Sequence, residues 1–126
     1  MIIGLTMIVL PVSNWAAARE WYVSKLGLKP VHETPEHSFG EYTLGDNGAA
    51  IGLWGLPKGY NVLHSDGAKN VAPQPYIEVE NLAASVAELK SKGVEFDVVL
   101  DEGDYKTARF HDPEGHILFL YELAGG

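Results

Sequence analysis

The 126-residue sequence contains no cysteine and few basic residues. Without cysteine there is no disulfide framework, no thiolate zinc site and no cysteine nucleophile. The 9 lysine and arginine residues stand against 17 aspartate and glutamate residues, for a formal net charge of -8. The basic residues form no run. Nucleic acid and anionic membrane are therefore not expected as partners, because both are bound by a basic surface.

The sequence also lacks any apolar run long enough to span a bilayer. It has no Gly-x-Ser-x-Gly motif, no phosphate-binding loop and no His-Glu-x-x-His motif. The opening segment Met1–Val12 is apolar, but it carries no basic residues and no obvious cleavage site. We interpret Ile2–Val12 as a strand and expect a cytoplasmic protein of one domain, long enough to bury a core.

The clearest local pattern lies in Ala108–Glu122. Two β-type runs, Lys106–His111 and Ile117–Leu123, flank the turn sequence Asp112-Pro113-Glu114-Gly115, in which proline presets φ and glycine accepts a positive φ. The second run is apolar at every position from Ile117 to Tyr121. This pattern predicts a hairpin whose last strand is covered on both faces.

Two helices are predicted from their capping residues and apolar spacing. Asn14 (or Ser13) caps a helix over Trp15–Leu26, and Asn81 caps a helix over Leu82–Lys92, with Gly27 and Gly93 after their ends. The Asp46-Asn47-Gly48 sequence predicts a tight hairpin. The remaining β-type runs are Leu28–Thr34, Ser38–Leu44, Ala49–Gly55, Gln74–Val79 and Val94–Leu100.

The two halves of the chain repeat each other. Val12-Ser13-Asn14-Trp15-Ala16-Ala17 corresponds to Val79-Glu80-Asn81-Leu82-Ala83-Ala84, and each half reads strand, helix and three strands. We therefore predict an α+β fold of two βαβββ modules, each with a helix on one face of its sheet. The expected organisation is a single domain, residues 1–126, with module one over about 1–55, a linker over about 56–72 and module two over about 73–126.

Two motifs carry a resemblance to a known family. One is the end of the first helix, with Trp21, Tyr22, Leu26 and Gly27, and the other is the hairpin, with Phe110, Asp112, Pro113 and Gly115. The chain resembles the vicinal oxygen chelate superfamily, which includes glyoxalase I, extradiol dioxygenases, and bleomycin- and fosfomycin-resistance proteins. The resemblance implies mixed sheets that curl into a cup with their helices outside. It also implies a divalent metal held by His, Gln or Glu from the first and last strand of each module.

The positions that the resemblance assigns to metal ligands are Met7, Gly52, Gln74 and Phe119. Of these only Gln74 offers a donor suited to Mg²⁺, Mn²⁺, Fe²⁺ or Zn²⁺, and a catalytic metal needs about three protein ligands. We therefore expect no metal and no cofactor, and do not favour an enzyme. The alternative is a metal-dependent lyase, isomerase or dioxygenase with an atypical set in which Gln74 is joined by His111, His116 or Glu78.

The five histidines give little support to a metal site. His32, His37 and His64 fall in or beside predicted turns and are expected to be exposed. His111 and His116 bracket the hairpin turn, where a metal pair is one interpretation. A ring that hydrogen-bonds the turn backbone is the other, and we favour it.

Strand alternation places aromatic residues on the same faces as these ligand positions. Trp54 shares a face with Gly52, Tyr76 with Gln74, and Tyr121 with Phe119. The predicted ligand-binding residues are Met7, Gly52, Trp54, Gln74, Tyr76, Arg109, Phe119 and Tyr121, with Glu78 as a further polar point. The alternative is that the aromatic side chains only fill a core. Trp15 and Trp21 are interpreted as packing residues of the first helix.

We therefore predict a metal-independent protein, similar to the bleomycin-resistance branch, that binds a small flat organic molecule such as an antibiotic or an aromatic metabolite. The resemblance also implies a homodimer. The alternatives are the metal-dependent enzyme described above and a domain that acts only through protein contacts.

Overall fold

The computed structural model describes residues 1–45, 49–57 and 73–123. The elements, in chain order, are β1 (Met7–Val12), α1 (Trp15–Ser24), β2 (Lys29–Thr34), a 3-10 turn (Pro35–His37), β3 (Phe39–Thr43), β4 (Ala50–Gly55), β5 (Tyr76–Glu78), α2 (Leu82–Ser91), β6 (Phe96–Asp101), β7 (Tyr105–His111) and β8 (Ile117–Leu123). Neither helix is long and apolar enough to cross a membrane.

The chain divides into two compact units, with the boundary after Val62. The first unit contains a four-stranded sheet in the order β1-β4-β3-β2, and the second contains one in the order β5-β8-β7-β6. In each sheet the first strand of the unit pairs in parallel with the last, and the other pairs are antiparallel. Both units therefore have the predicted βαβββ arrangement, and the α+β fold class is confirmed.

Both predicted helix caps are confirmed. The side chain of Asn14 accepts a hydrogen bond from the backbone N–H of Ala17 at 3.1 Å, and Asn81 accepts one from Ala84 at 2.9 Å. Each cap satisfies one of the backbone donors that the first turn of a helix leaves without a partner. The first helix ends at Ser24, two residues before the predicted Leu26, and the chain turns at Gly27 with φ 75°.

Each unit buries the face of its sheet that carries the helix. The buried side chains of the first unit include Leu10, Val12, Ala18, Tyr22, Tyr42 and Leu53, and those of the second include Leu82, Leu89, Ala108, Phe110, Leu118 and Leu120. Burial of apolar surface on this scale is the main source of stability for a small unit. The opposite face of each sheet, called here its open face, is far less covered.

A polar network crosses the helix-side face of the first sheet. Arg19 on α1 donates to both carboxylate oxygens of Glu33 on β2, from Nε at 2.6 Å and from Nη2 at 3.1 Å. The fully buried Tyr42 hydroxyl donates to the same carboxylate at 2.8 Å. Arg19 lowers the pKa of Glu33, whereas burial, followed by the Glu33 hydrogen bond, raises the pKa of Tyr42. The network ties the helix to the edge strand β2.

The predicted hairpin between β7 and β8 is present, and its turn is held by Asp112. This carboxylate is 1% exposed and accepts hydrogen bonds from the backbone N–H groups of Glu114 at 2.9 Å and His116 at 2.8 Å. Gly115 has φ 93°, the left-handed conformation that the turn requires. The Asp112 side chain thus accepts hydrogen bonds from backbone N–H groups of the turn, which have no partner strand.

Three predictions differ from the structure. Ile2–Thr6 does not extend β1, which begins at Met7 opposite Ala50, the first residue of β4. Gln74 lies two residues before β5 rather than within it. The strand β8 is not fully covered on both faces, since Ile117, Phe119 and Tyr121 are only half-buried.

Three other predictions concern residues that are not described. The Asp46-Asn47-Gly48 hairpin, His64 and most of the predicted linker lie outside the described residues.

Candidate functional site

The predicted site residues of the first unit lie together on the open face of its sheet. The register pairs Met7 with Ala50 and Val9 with Gly52 in parallel, and pairs Glu41 with Gly52 across β3 and β4. Trp54 lies two residues further along β4 on the same face, and 41% of its surface is exposed. The alternation that placed Trp54 beside Gly52 therefore holds in the structure.

Gly52 leaves no room for a side chain. A Cβ atom at this position would lie 2.9 Å from Cγ2 of Val9 and 3.0 Å from Sδ of Met7. These distances are shorter than van der Waals contact, so the neighbouring side chains occupy the space that a ligand-bearing residue at 52 would need. The side chains of Met7 and Val9 therefore lie over Gly52 on the open face.

The second sheet carries an aromatic cluster on its open face, formed by Tyr76, Phe119 and Tyr121 and called here the aromatic face. The rings of Tyr76 and Phe119 are stacked, with centroids 4.6 Å apart and planes 11° apart, and Tyr121 lies 5.9 Å from Tyr76. Tyr76 is 56% exposed, whereas its two neighbours are half-buried. A flat aromatic surface is thus available to solvent within one unit.

Arg109 lies beside this cluster, paired with Phe119 across β7 and β8. Its guanidinium donates to Asp97 from Nε at 2.9 Å and from Nη2 at 3.1 Å. This bidentate ion pair lowers the pKa of Asp97 and raises the pKa of Arg109. The two contacts fix the plane of the guanidinium and leave Nη1 outside the pair.

The other polar candidates of the second unit differ in position. Glu78 is exposed, and its Oε1 lies 3.5 Å from the hydroxyl of Tyr121, at the border of the aromatic face. Gln74 is half-buried ahead of β5. His111 is exposed, and its Nδ1 lies 2.9 Å from the backbone oxygen of Asp112, which confirms that this ring bonds the turn backbone. His116 is buried behind the turn.

The residues at the four positions that the resemblance assigns to metal ligands do not fit a divalent metal. Met7 offers a thioether, Gly52 offers no side chain, and the ring of Phe119 is stacked on Tyr76. Only the amide oxygen of Gln74 is a suitable donor, and a single carboxamide does not hold a catalytic metal. Across residues 1–45, 49–57 and 73–123, no three His, Asp or Glu side chains form a group that could hold an ion.

The sequence interpretation missed two charged residues of the open faces, Asp97 and Glu41. Asp97 lies at a β-bulge between Phe96 and Val98, which breaks the alternation of β6. Glu41 pairs with Gly52 across β3 and β4. The sequence interpretation missed Glu41 because this pairing depends on the length of the β3–β4 connection. The sequence signal for Asp97 was a charged residue between Phe96 and the apolar run Val98–Leu100.

A sequence model of the Glyoxalase/Bleomycin resistance protein/Dioxygenase superfamily matches residues 4–119, which is most of both units. The chain belongs to this superfamily. The match includes the end of the first helix and the Phe-x-Asp-Pro-x-Gly turn from which the family was expected. No curated protein matches the sequence.

Solved structures of this superfamily's fold cover nearly the whole chain. UcmS2 is 22% identical, with a TM-score of 0.78 over 96% of this chain and 98% of its own. TnmS3, an antibiotic binding protein from Streptomyces sp. CB03234, is 19% identical, with a TM-score of 0.76 over 98% of both chains. FosX, a fosfomycin resistance protein from Listeria monocytogenes, is 14% identical, with a TM-score of 0.70 over 97% of this chain and 94% of its own. At these identities the likeness establishes the fold alone.

Proposed function

We propose that this superfamily member is a metal-independent binding protein for a small planar aromatic molecule, such as an antibiotic or an aromatic metabolite. The observation that carries the proposal is the exposed stack of Tyr76 on Phe119. In this arrangement an aromatic ring occupies a position that the resemblance assigns to a metal ligand. The superfamily hosts many activities on one fold, so function is argued from these residues.

The aromatic face has the features of a site that binds by stacking. One face of the Tyr76 ring is open to solvent, and the other face stacks on Phe119. The surface on which a ligand would stack is therefore ordered before the ligand binds. A planar ligand that stacks on Tyr76 would gain the area burial and ring contacts typical of aromatic pairs. Nη1 of Arg109 would donate to a carbonyl or hydroxyl group at the ligand's edge, and the hydroxyl of Tyr121, which donates to Glu78, would accept a hydrogen bond from one.

Two of the similar structures are of proteins whose descriptions agree with this proposal. One is described as an antibiotic binding protein and another as a fosfomycin resistance protein. The first of these descriptions supports a small-molecule ligand for this fold.

The proposal predicts that binding does not depend on a metal ion. A panel of polycyclic aromatic antibiotics and planar aromatic metabolites would be titrated by calorimetry into protein dialysed against a chelator. The titration of each compound that binds would then be repeated with Mn²⁺, Zn²⁺ or Mg²⁺ added. We expect dissociation constants that agree within about twofold, since no side chain of the aromatic face supplies a metal ligand.

Two outcomes would contradict the proposal. One is binding that appears only after a metal is restored, which would favour the metal-dependent lyase, isomerase or dioxygenase. The other is the absence of binding across the panel.

We also propose that the chain forms a homodimer. The apolar side chains of Met1, Ile2, Ile3 and Leu5 are each at least 85% exposed. They lead directly into β1, an edge strand of the first sheet. An exposed apolar run of this kind beside an open strand edge is typical of a surface that another chain covers.

Light scattering after size-exclusion chromatography should therefore give twice the mass of the chain. The double variant Ile2→Glu/Ile3→Glu should shift the protein to a monomer, because it would bury carboxylates at the interface. Val31→Glu, at a side chain that is 58% exposed on the opposite edge strand, is the matched control and should remain dimeric. A monomeric wild-type protein at micromolar concentration would refute the proposal.

A further inference from the structure

The second unit has a groove on the helix side of its sheet, opposite the aromatic face. The groove lies between α2 and the strands β6 and β7 and has a volume of about 620 Å³. Its apolar lining includes Leu82 and Val86 of α2 and Val99 and Leu100 of β6. Grooves of this size and composition accommodate small organic ligands.

The two units have equivalent residues at this place, so the first unit shows how such a gap is filled. Arg19 and Val86 both lie five residues after the asparagine that caps their helix. Glu33 and Val99 are equivalent positions in the edge strands β2 and β6. Glu33 pairs with Gly40 on β3, and Val99 pairs with Ala108 on β7. Each of the two residues lies three positions after the residue at which the register of its own strand begins to shift. The Arg19–Glu33 ion pair of the first unit is therefore replaced by Val86 and Val99 in the second.

This replacement leaves the groove open and apolar. In the first unit the long side chains of Arg19 and Glu33 meet between helix and edge strand, and the Tyr42 hydroxyl completes the network. In the second unit two short valines take those places, and Val99 is 60% exposed. Val99 therefore leaves apolar surface uncovered on the helix side of β6. At the equivalent position of the first unit, the Arg19–Glu33 ion pair covers the sheet.

The rim of the groove carries two negative and two positive side chains. Its two carboxylates already accept backbone N–H bonds: Glu122 from Leu82 at 2.7 Å and Asp101 from Gly103 at 3.0 Å. The ammonium groups of Lys90 and Lys106 also line the groove, and neither forms an ion pair within the described part of the chain. The side-chain donors that line the groove are therefore these two ammonium groups and the amide of Asn81, and only the ammonium groups can pair with an anion.

We propose that this groove is a second ligand site, which binds a small amphiphilic anion. The apolar chain of the ligand lies against Val86 and Val99, and its carboxylate is bound by Lys90 and Lys106. The site lies on the opposite side of the sheet from Tyr76 and does not depend on the function proposed for the aromatic face.

The test uses octanoate as the probe, with 1-octanol as the uncharged comparison. Binding to the full-length protein would be followed by amide chemical shifts in NMR titrations, which also locate the site. We expect octanoate to shift the amide signals of α2 and β6 and to bind at least about tenfold more tightly than octanol, because only octanoate pairs with the lysines.

Two variants separate the apolar lining from the charged rim. Val86→Arg/Val99→Glu copies the ion pair of the first unit and should weaken octanoate binding by about tenfold or more, because it fills the groove. Lys90→Gln/Lys106→Gln leaves the lining intact and should reduce the affinity for octanoate to about that for octanol. The matched control is Lys25→Gln/Lys29→Gln in the first unit, which should bind octanoate like the wild type. Tyr76→Ala should also bind it normally.

The site is refuted if folded Val86→Arg/Val99→Glu binds octanoate as the wild type does. The anionic ligand class is refuted if octanol binds as tightly as octanoate, or if the lysine double variant binds octanoate normally. Where the valine double variant does not fold, Val99→Glu alone replaces it. That change is at an exposed side chain and places a repelling carboxylate in the groove.

Discussion

Replacing Tyr76 with alanine is expected to weaken binding of the planar aromatic ligand by about 5- to 30-fold, because one stacked ring contributes roughly 1–2 kcal/mol. The change should alter the free energy of unfolding by less than about 1 kcal/mol, since the side chain is 56% exposed. Calorimetric titration of the tightest compound from the panel measures the first quantity, and urea unfolding measures the second.

Tyr105→Ala is the matched control for this experiment. Tyr105 is also an exposed tyrosine of the second sheet, but its partner on β8 is Leu123, four residues beyond Phe119. Its loss should leave the dissociation constant unchanged within about twofold. Equal effects of the two substitutions, or none from either, would show that the ligand is bound elsewhere.

Replacing Glu33 with alanine should lower the free energy of unfolding by about 2–3 kcal/mol, because it removes the acceptor of a charged hydrogen-bond network. Arg19 loses both of its bonds to the carboxylate, and the fully buried hydroxyl of Tyr42 loses its acceptor. Asp97→Ala is the matched control, since it breaks the other bidentate arginine pair. Because that carboxylate is 55% exposed, we expect a loss below about 1 kcal/mol.

The effect of Glu33 should depend on pH in a defined direction. The hydrogen bond from Arg19 holds the pKa of Glu33 below its usual value of 4.5. A carboxyl group with a lowered pKa in the folded state stabilises it fully above the usual pKa, and that stabilisation is lost as the pH falls through the lowered value. The stability difference between wild type and Glu33→Ala should therefore narrow in acid. A difference that stays constant from neutral pH to pH of about 3 would contradict the assigned network.

Local signals in the sequence were sufficient to predict the architecture. The two asparagine caps, the glycines after the helices and the Asp112 turn each act within a few residues, and all are present in the structure. The repeated order of elements then limited the fold to two βαβββ units. The same reasoning placed Tyr76, Phe119 and Tyr121 on one face of a sheet, because alternation along a strand is also local.

Long-range features could not be predicted in this way. The Arg109–Asp97 pair depends on a bulge in β6, and the Arg19–Glu33–Tyr42 network joins a helix to two strands. The crowding at Gly52 depends on the Met7 and Val9 side chains of a strand about forty residues earlier. Each of these features is set by register between distant segments, which a single sequence does not specify.

The parallel pairing of β1 with β4 has a consequence for synthesis on the ribosome. Met7 finds its partner only when Ala50 has been made, and the second unit repeats this delay between Tyr76 and Phe119. Until then β1 lacks its strand partner, and the apolar faces of β1 and α1 remain accessible to chaperones and to other nascent chains. Each half of the protein thus becomes self-sufficient only when its last strand has left the exit tunnel.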